Sequence, residues 1–134
     1  MGKRRLAREY CLQALYLADT GKMTKDEALS VLADSFVMDK ATEQFAVSLL
    51  SGTLDNKDKL DDTIQTYATN WKITRMSAVD RCILRLASFE IIFVTDTPVP
   101  AVIDEAIELA KKFSTENSGS FINGLLDRMK TERA

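Results

Sequence analysis

The chain has no histidine among its 134 residues, only two prolines, two cysteines and five glycines, and no apolar run long enough to cross a membrane. Each scarcity excludes something. Without histidine it lacks the commonest general base and the commonest metal ligand together. Cys11 and Cys82 show no CxxC spacing and no signal peptide precedes them, so they read as reduced thiols packed among apolar neighbours in a cytoplasmic protein. A membrane span would need roughly 18 consecutive apolar residues. Neither GxxxxGK nor GxGxxG occurs, and no metal-ligand cluster or nucleophile–base pairing can be assembled. The expectation is therefore a protein that is not an enzyme and needs no cofactor or metal.

What is present is 46% hydrophobic residues and a net charge of −2, which suit a single soluble domain over residues 1–134. The charge is unevenly spread. Residues 1–16 hold Lys3, Arg4, Arg5 and Arg8 against Glu9, a local +3 that leaves −5 for the remainder, and residues 24–62 contain nine acids and four lysines. Such polarity suggests one face for a polyanion and another for a different contact.

Apolar residues recur at helical intervals along nearly the whole chain. Ala7, Cys11, Ala14, Leu15 and Ala18 form a stripe on a first helix over residues 3–19. Thr24 and Glu27 have capping-box spacing and open a second helix to about Phe36. A third begins near Asp39 and reaches Gly52 or beyond, and a fourth spans about Asn56 to Asn70. Ser77 and Asp80 again have capping-box spacing, before a long helix that ends ahead of Pro98. An amphipathic helix to about Phe113 follows, with Glu108 and Lys112 placed to pair on its outer face. The loop STENSGS leads into a last helix bearing Ile122, Leu125, Leu126 and Met129. The expected fold is an all-α bundle of about seven helices.

The first helix poses a problem. Cations near a helix N-terminus oppose the macrodipole, at a cost of a few tenths of a kcal/mol each. At 100° per residue Arg5, Arg8, Leu12 and Tyr16 share the face opposite the alanine stripe. An aromatic ring beside arginines suits single-stranded RNA, whose phosphates seek guanidinium groups and whose splayed bases stack on rings. STENSGS places small polar groups ahead of another helix start, where free N–H groups can hold a phosphate oxygen. A solvated basic end and an ordinary Ser-capped connection are the plainer alternatives.

Three blocks carry a resemblance. RRLAREYCLQALY resembles the opening of the bacterial NusB family of transcription antitermination factors. WKITRMSAVDRCILRLASFE resembles its central signature and PVPAVIDEAIELAKKFSTENSGSFINGLLD its C-terminal block, in order and from Arg4 to Asp127. The resemblance implies two packed three-helix halves with a further helix alongside. It implies binding of boxA-type RNA together with NusE, a small-subunit ribosomal protein, and an indirect role in the RNA polymerase antitermination complex. Carried over by position, the RNA side comprises Arg4, Arg5, Arg8, Gln13, Tyr16, Glu116, Asn117 and Ser118, with Tyr67 as an extra stacking contact; Lys3 joins it as part of the basic cluster at the helix start. The protein-partner side comprises Tyr16, Asp80 and Phe121. Ser120 stands where many relatives have a basic residue, and Asp104 where Asn is more usual. A self-associating or protein-binding helical module, and an accessory to ribosomal RNA modification, are the rival readings.

Several residues invite structural expectations. Glu90 falls among Val79, Ile83, Leu86 and Phe93 on an apolar face, so its carboxylate should be pinned by an arginine or by backbone N–H groups. Trp71 and Arg75 should pack where the halves meet. Gly124, inside the last helix, should mark a close helix approach. Arg81 and Arg85 should form a solvated face, or alternatively a partner surface.

Overall fold

Each helix start is set by local chemistry. The Thr24 hydroxyl accepts from Glu27 N–H at 3.2 Å while the Glu27 carboxylate accepts from Thr24 N–H at 2.9 Å, a reciprocal capping box. Asp39 accepts from Thr42 N–H at 2.8 Å. Ser77 caps with an acceptor bond from Asp80 N–H, but the Asp80 carboxylate turns away to other partners, so only half of the expected box forms there. Pro98 precedes a helix with Pro100 in its first turn, where a missing N–H costs nothing.

The computed structural model describes residues 2–133 and contains seven α-helices among them, with no strand. They are α1 (Gly2–Gly21), α2 (Lys25–Ser35), α3 (Lys40–Asp55), α4 (Lys57–Tyr67), α5 (Ala78–Phe93), α6 (Val99–Phe113) and α7 (Ser118–Met129). Short 3₁₀ turns occupy Ile73–Arg75 and Lys130–Arg133. α1, α2 and α3 pack on one another, as do α5, α6 and α7, with α4 lying against α5 and α7. α5 joins the halves by touching α1 and α3 as well. Among the described residues no helix is long and apolar enough to cross a membrane.

That central position explains α5. It is buried without interruption from Cys82 to Ile91, so its polar positions are buried with the rest. Glu90, 2% exposed, meets Arg8 of α1 in a two-pronged pair, with Nε at 2.9 Å and Nη2 at 2.8 Å. Arg85, 6% exposed, donates from Nε and Nη2 to Asp61 at 2.7 and 3.0 Å and from Nη1 to Asp19 at 3.0 Å, and Arg81 reaches Asp19 at 2.8 Å. The expected solvated face of Arg81 and Arg85 is thus an internal ladder of ion pairs. α1 and α4 cover α5 on both flanks, which a projection of α5 alone does not reveal.

Two other expectations are corrected. A Cβ on Gly124 would meet only Arg128 Nη1, at 3.7 Å, so no helix approaches closely there. The close approach is at Gly52, where a Cβ would fall 2.0 Å from the Phe89 ring. Trp71 packs in no core and no α-helix reaches it; it is 59% exposed on the loop after α4. Cys11 and Cys82 are buried free thiols, and burial pushes Cys82 up to about 12 and Cys11 well above its ordinary value, so both are unreactive packing groups.

Candidate nucleic-acid interface

At the start of α1 the backbone fans its cations in three directions. Lys3 reaches Asp39, the cap of α3, at 2.6 Å, and with Thr42 N–H it holds the Asp39 carboxyl well below the usual range. Arg4 lies over the Phe45 ring of α3, 4.4 Å from its centre, and has no carboxylate partner among the described residues. Arg5 grips Glu105 of α6 with Nε at 3.1 Å and Nη2 at 2.8 Å, which lowers the glutamate's pKa. Arg8 is committed to Glu90 in the interior, with Glu105 a further 3.8 Å contact. Burial works against its charge, and the Glu90 hydrogen bonds together with the charges of Glu90 and Glu105 outweigh that effect and keep it protonated.

The face projected for Arg5, Arg8, Leu12 and Tyr16 is therefore divided. Arg8 is 5% and Leu12 2% exposed, whereas Arg5 and Tyr16 are open to solvent. The cause is α5 and α6, which cover that side of α1 up to Arg8 and Leu12. Arg8 accordingly has no outward guanidinium to offer a phosphate. The outer pair expected between Glu108 and Lys112 is also rearranged: Lys112 crosses to Glu9 of α1, and Lys111 takes Glu108 at 3.5 Å.

Further along α1, the other expected residues divide between two concavities, one beside Gln13 and Tyr16 of α1 and one at the starts of α5 and α7. Gln13 is half-buried and donates to Glu9 O at 3.3 Å, and Tyr16 is 39% exposed. Gln13, Tyr16, Leu17, Phe36, Val79 and Phe113 contribute to an apolar groove of about 320 Å³. Asp80, the next residue after Val79, lines a second concavity of about 270 Å³ with Trp71, Arg75, Asn117, Ser118 and Phe121. Trp71 and Phe121 meet edge to face, their rings 6.3 Å apart and inclined by 72°. The Gln65 amide fixes the Trp71 loop, donating to Trp71 O at 2.8 Å and Ala68 O at 3.2 Å while its oxygen accepts from Ile73 N–H.

Asp80 organises this second, aromatic corner from beneath. It accepts from the hydroxyls of Ser114 at 2.6 Å and Ser118 at 2.9 Å, tying the start of α5 to both ends of the α6–α7 loop. Ser118 is 5% exposed, and this network rather than the surface holds its hydroxyl. Glu116 and Asn117 remain exposed on the loop. Tyr67 lies at a different edge, where its hydroxyl donates to Glu132 at 2.6 Å and meets Thr131 at 3.2 Å.

With this arrangement in view, comparison with known proteins is decisive. The NusB family profile matches residues 5–131. The chain belongs to the NusB family. It is 54% identical to the transcription antitermination protein NusB of Elusimicrobium minutum over 99% of this chain and 96% of that one. It is 40% identical to the NusB of Bacillus subtilis over 97% and 96% respectively. Its fold superposes on the NusB of T. maritima with a TM-score of 0.90 at 37% identity, covering 98% of this chain and 92% of that one. It also superposes, with a TM-score of 0.88 at 26% identity and 98% coverage of both, on a chain from a crystal structure of antitermination factors NusB and NusE in complex with double-stranded RNA.

Trp71, expected to pack where the two halves meet and not counted among the site residues, instead stands exposed with its ring against Phe121. One signal was available. Trp71 lies between Asn70 and Lys72, in a segment with no apolar stripe to pack it.

Proposed function

We propose that the chain acts as a transcription antitermination factor, binding boxA-type single-stranded RNA jointly with the ribosomal protein NusE and so contributing indirectly to the RNA polymerase antitermination complex. It does so as a single non-enzymatic domain over residues 1–134, in the cytoplasm. Family membership supplies the class. The observation that carries the reading is the gathering of Asp80, Asn117 and Phe121 around one concavity, with Tyr16 in a separate apolar groove that reaches α5 at the neighbouring Val79.

At that corner the rings of Trp71 and Phe121 offer faces on which unpaired bases stack, worth about 1–3 kcal/mol per base. That chemistry favours a single strand even though the similar complex contains double-stranded RNA. Asn117 supplies amide hydrogen bonds, and Lys3, Arg4 and Arg5 supply phosphate contacts along the backbone at the far end of α1. Lys3 and Arg5 are themselves exposed and can exchange their carboxylate partners for phosphate at little cost, since solvent screens such ion pairs. Tyr16 and Phe121 lie at the boundary with the protein partner.

The test is fluorescence anisotropy of a labelled boxA RNA titrated with the protein, with and without NusE, for the wild type and Trp71→Ala/Phe121→Ala. The expected result is weak binding alone, tightening with NusE and loss in the variant. Undiminished binding by the variant would refute the assignment of the corner.

A further inference from the structure

Packing alone does not explain where Trp71 stands. Its ring is 59% exposed and meets Phe121 edge to face, so little burial holds it in place. It belongs to residues 68–77, between α4 and α5, where the only regular structure is the 3₁₀ turn Ile73–Arg75. An unrestrained loop would let the ring sample many positions, and a base stacking on it would then have to order the loop. Side chains from two helices prevent this by gripping the backbone around the ring.

Gln65 of α4 holds one side. Its amide nitrogen donates to Ala68 O at 3.2 Å and to Trp71 O at 2.8 Å, and its oxygen accepts from Ile73 N–H at 2.9 Å. Arg81 of α5 holds the other, with Nη1 donating to Ile73 O at 3.3 Å and to Met76 O at 2.9 Å. Ile73, two residues after Trp71, is thus gripped through both its N–H and its carbonyl.

The grip is anchored well away from the loop. Arg81 Nη2 donates to Asp19 of α1 at 2.8 Å, Asp19 also accepts from Arg85 at 3.0 Å, and Arg85 returns to α4 at Asp61. Asp61 and Gln65 lie about one turn apart on α4. The series Gln65, Ile73, Arg81, Asp19, Arg85 and Asp61 therefore closes on itself, tying the loop to α4, α5 and α1. Moving the loop breaks bonds to α4 and α5 together, and a fully satisfied network of this kind rigidifies what it holds.

We propose that Arg81 and Gln65 are positioning residues for RNA recognition, holding the Trp71 loop in its base-receiving position before RNA arrives. The inference rests on the reading of Trp71 as a stacking surface. Neither side chain has to touch RNA. Their effect is to remove the cost of ordering the loop on binding.

The test measures anisotropy of labelled boxA RNA with the full chain carrying Trp71→Ala, Gln65→Ala or Arg81→Met, and each of the last two combined with Trp71→Ala. Time-resolved fluorescence anisotropy of Trp71, the only tryptophan, reports loop motion in the free protein. Gln65 is exposed, and Asp19 keeps Arg85 when Arg81 is replaced, so both single variants should retain the wild-type circular dichroism. Each should show faster local motion of Trp71 and roughly three- to tenfold weaker RNA binding, about the cost of immobilising one large side chain. The salt dependence of binding should stay the same, because no phosphate contact is lost. Neither substitution should weaken binding further once Trp71 is already alanine. Unchanged Trp71 motion, unchanged affinity, losses that add to that of Trp71→Ala, or a shallower salt dependence in Arg81→Met would overturn the positioning role and leave Trp71 as a contact. Wild-type binding by Trp71→Ala would instead remove the stacking reading, and the positioning role with it.

Discussion

The two ends of α1 make a useful contrast. Its first two turns carry four cations, and three of them have a carboxylate partner within the fold: Lys3 with Asp39, Arg5 with Glu105 and Arg8 with Glu90. Roughly 20 Å further along the helix, Tyr16 is exposed in an apolar groove that reaches α5 at Val79. The concavity that opens at the next residue of α5 has one lining carboxylate, itself engaged by serine hydroxyls, and the exposed ring of Trp71. The basic end is the more conspicuous in sequence, yet much of its charge is neutralised locally. The aromatic end is inconspicuous, yet it presents unsatisfied surface. A cluster of like charges describes a surface only once the partners folded against it are known.

The sharpest way to break this contrast is at Arg8. Arg8→Ala leaves Glu90 buried and unpaired and should cost about 3–5 kcal/mol in chemical denaturation. Arg8→Met/Glu90→Met replaces both charges by apolar groups of similar volume and should recover most of that stability. If Arg8 serves the fold alone, the refolded double variant should bind boxA RNA within about twofold of wild type. A folded double variant that binds no RNA would return Arg8 to the interface.

At the other end, Trp71→Ala should do the reverse. With 59% of Trp71 already exposed, unfolding free energy should change by about 0.5 kcal/mol or less. Binding of RNA should weaken by about 1–3 kcal/mol if a base stacks there. Equal losses in stability and affinity would erase the distinction between the two ends.

The ion ladder on α5 gives a pH signature. Burial raises the pKa of Asp19, but hydrogen bonds from Arg81 and Arg85 outweigh it and the carboxyl titrates below its ordinary value. A depressed carboxylate stabilises the fold above its unfolded pKa of about 3.9 and loses that contribution as pH falls through the folded value. The wild-type melting temperature should therefore decline below about pH 4. Asp19→Asn, which lacks that carboxylate at every pH, should decline less steeply over the same interval.

The smallest effect is expected at Arg4, which sits over Phe45 without an acidic partner among the described residues. Arg4→Ala should leave stability nearly unchanged and reduce the log–log salt dependence of RNA binding by about 0.7, the value for one phosphate on a single strand. An unchanged slope would remove Arg4 from the phosphate contacts.

Much of the fold was legible in the sequence because its signals are local. The Thr24–Glu27 box, the Asp39 cap, Pro98 and the apolar stripes mark helices within a few residues of where they stand. The need of Glu90 for a cation was legible too, since a carboxylate amid an apolar stripe must be paired. The identity of that cation was not. Arg8 is 82 residues away, and a wheel drawn for α1 alone puts it on an open face. Arg85 and Gly52 were misjudged or passed over for the same reason: their surroundings belong to other helices. Trp71 was misplaced because no α-helix carries it to the junction of the halves; α4 ends at Tyr67 and Gln65 fixes the loop that follows.

The most direct measurement uses Trp71, the only tryptophan in the chain, as its own reporter. Its intrinsic fluorescence should be followed during titration with unlabelled boxA RNA, beside anisotropy of the labelled RNA under the same conditions. If the aromatic corner receives the bases, fluorescence should quench saturably with the same midpoint as the anisotropy. Full binding by anisotropy with Trp71 fluorescence unchanged would contradict that placement and return RNA recognition to the basic end of α1.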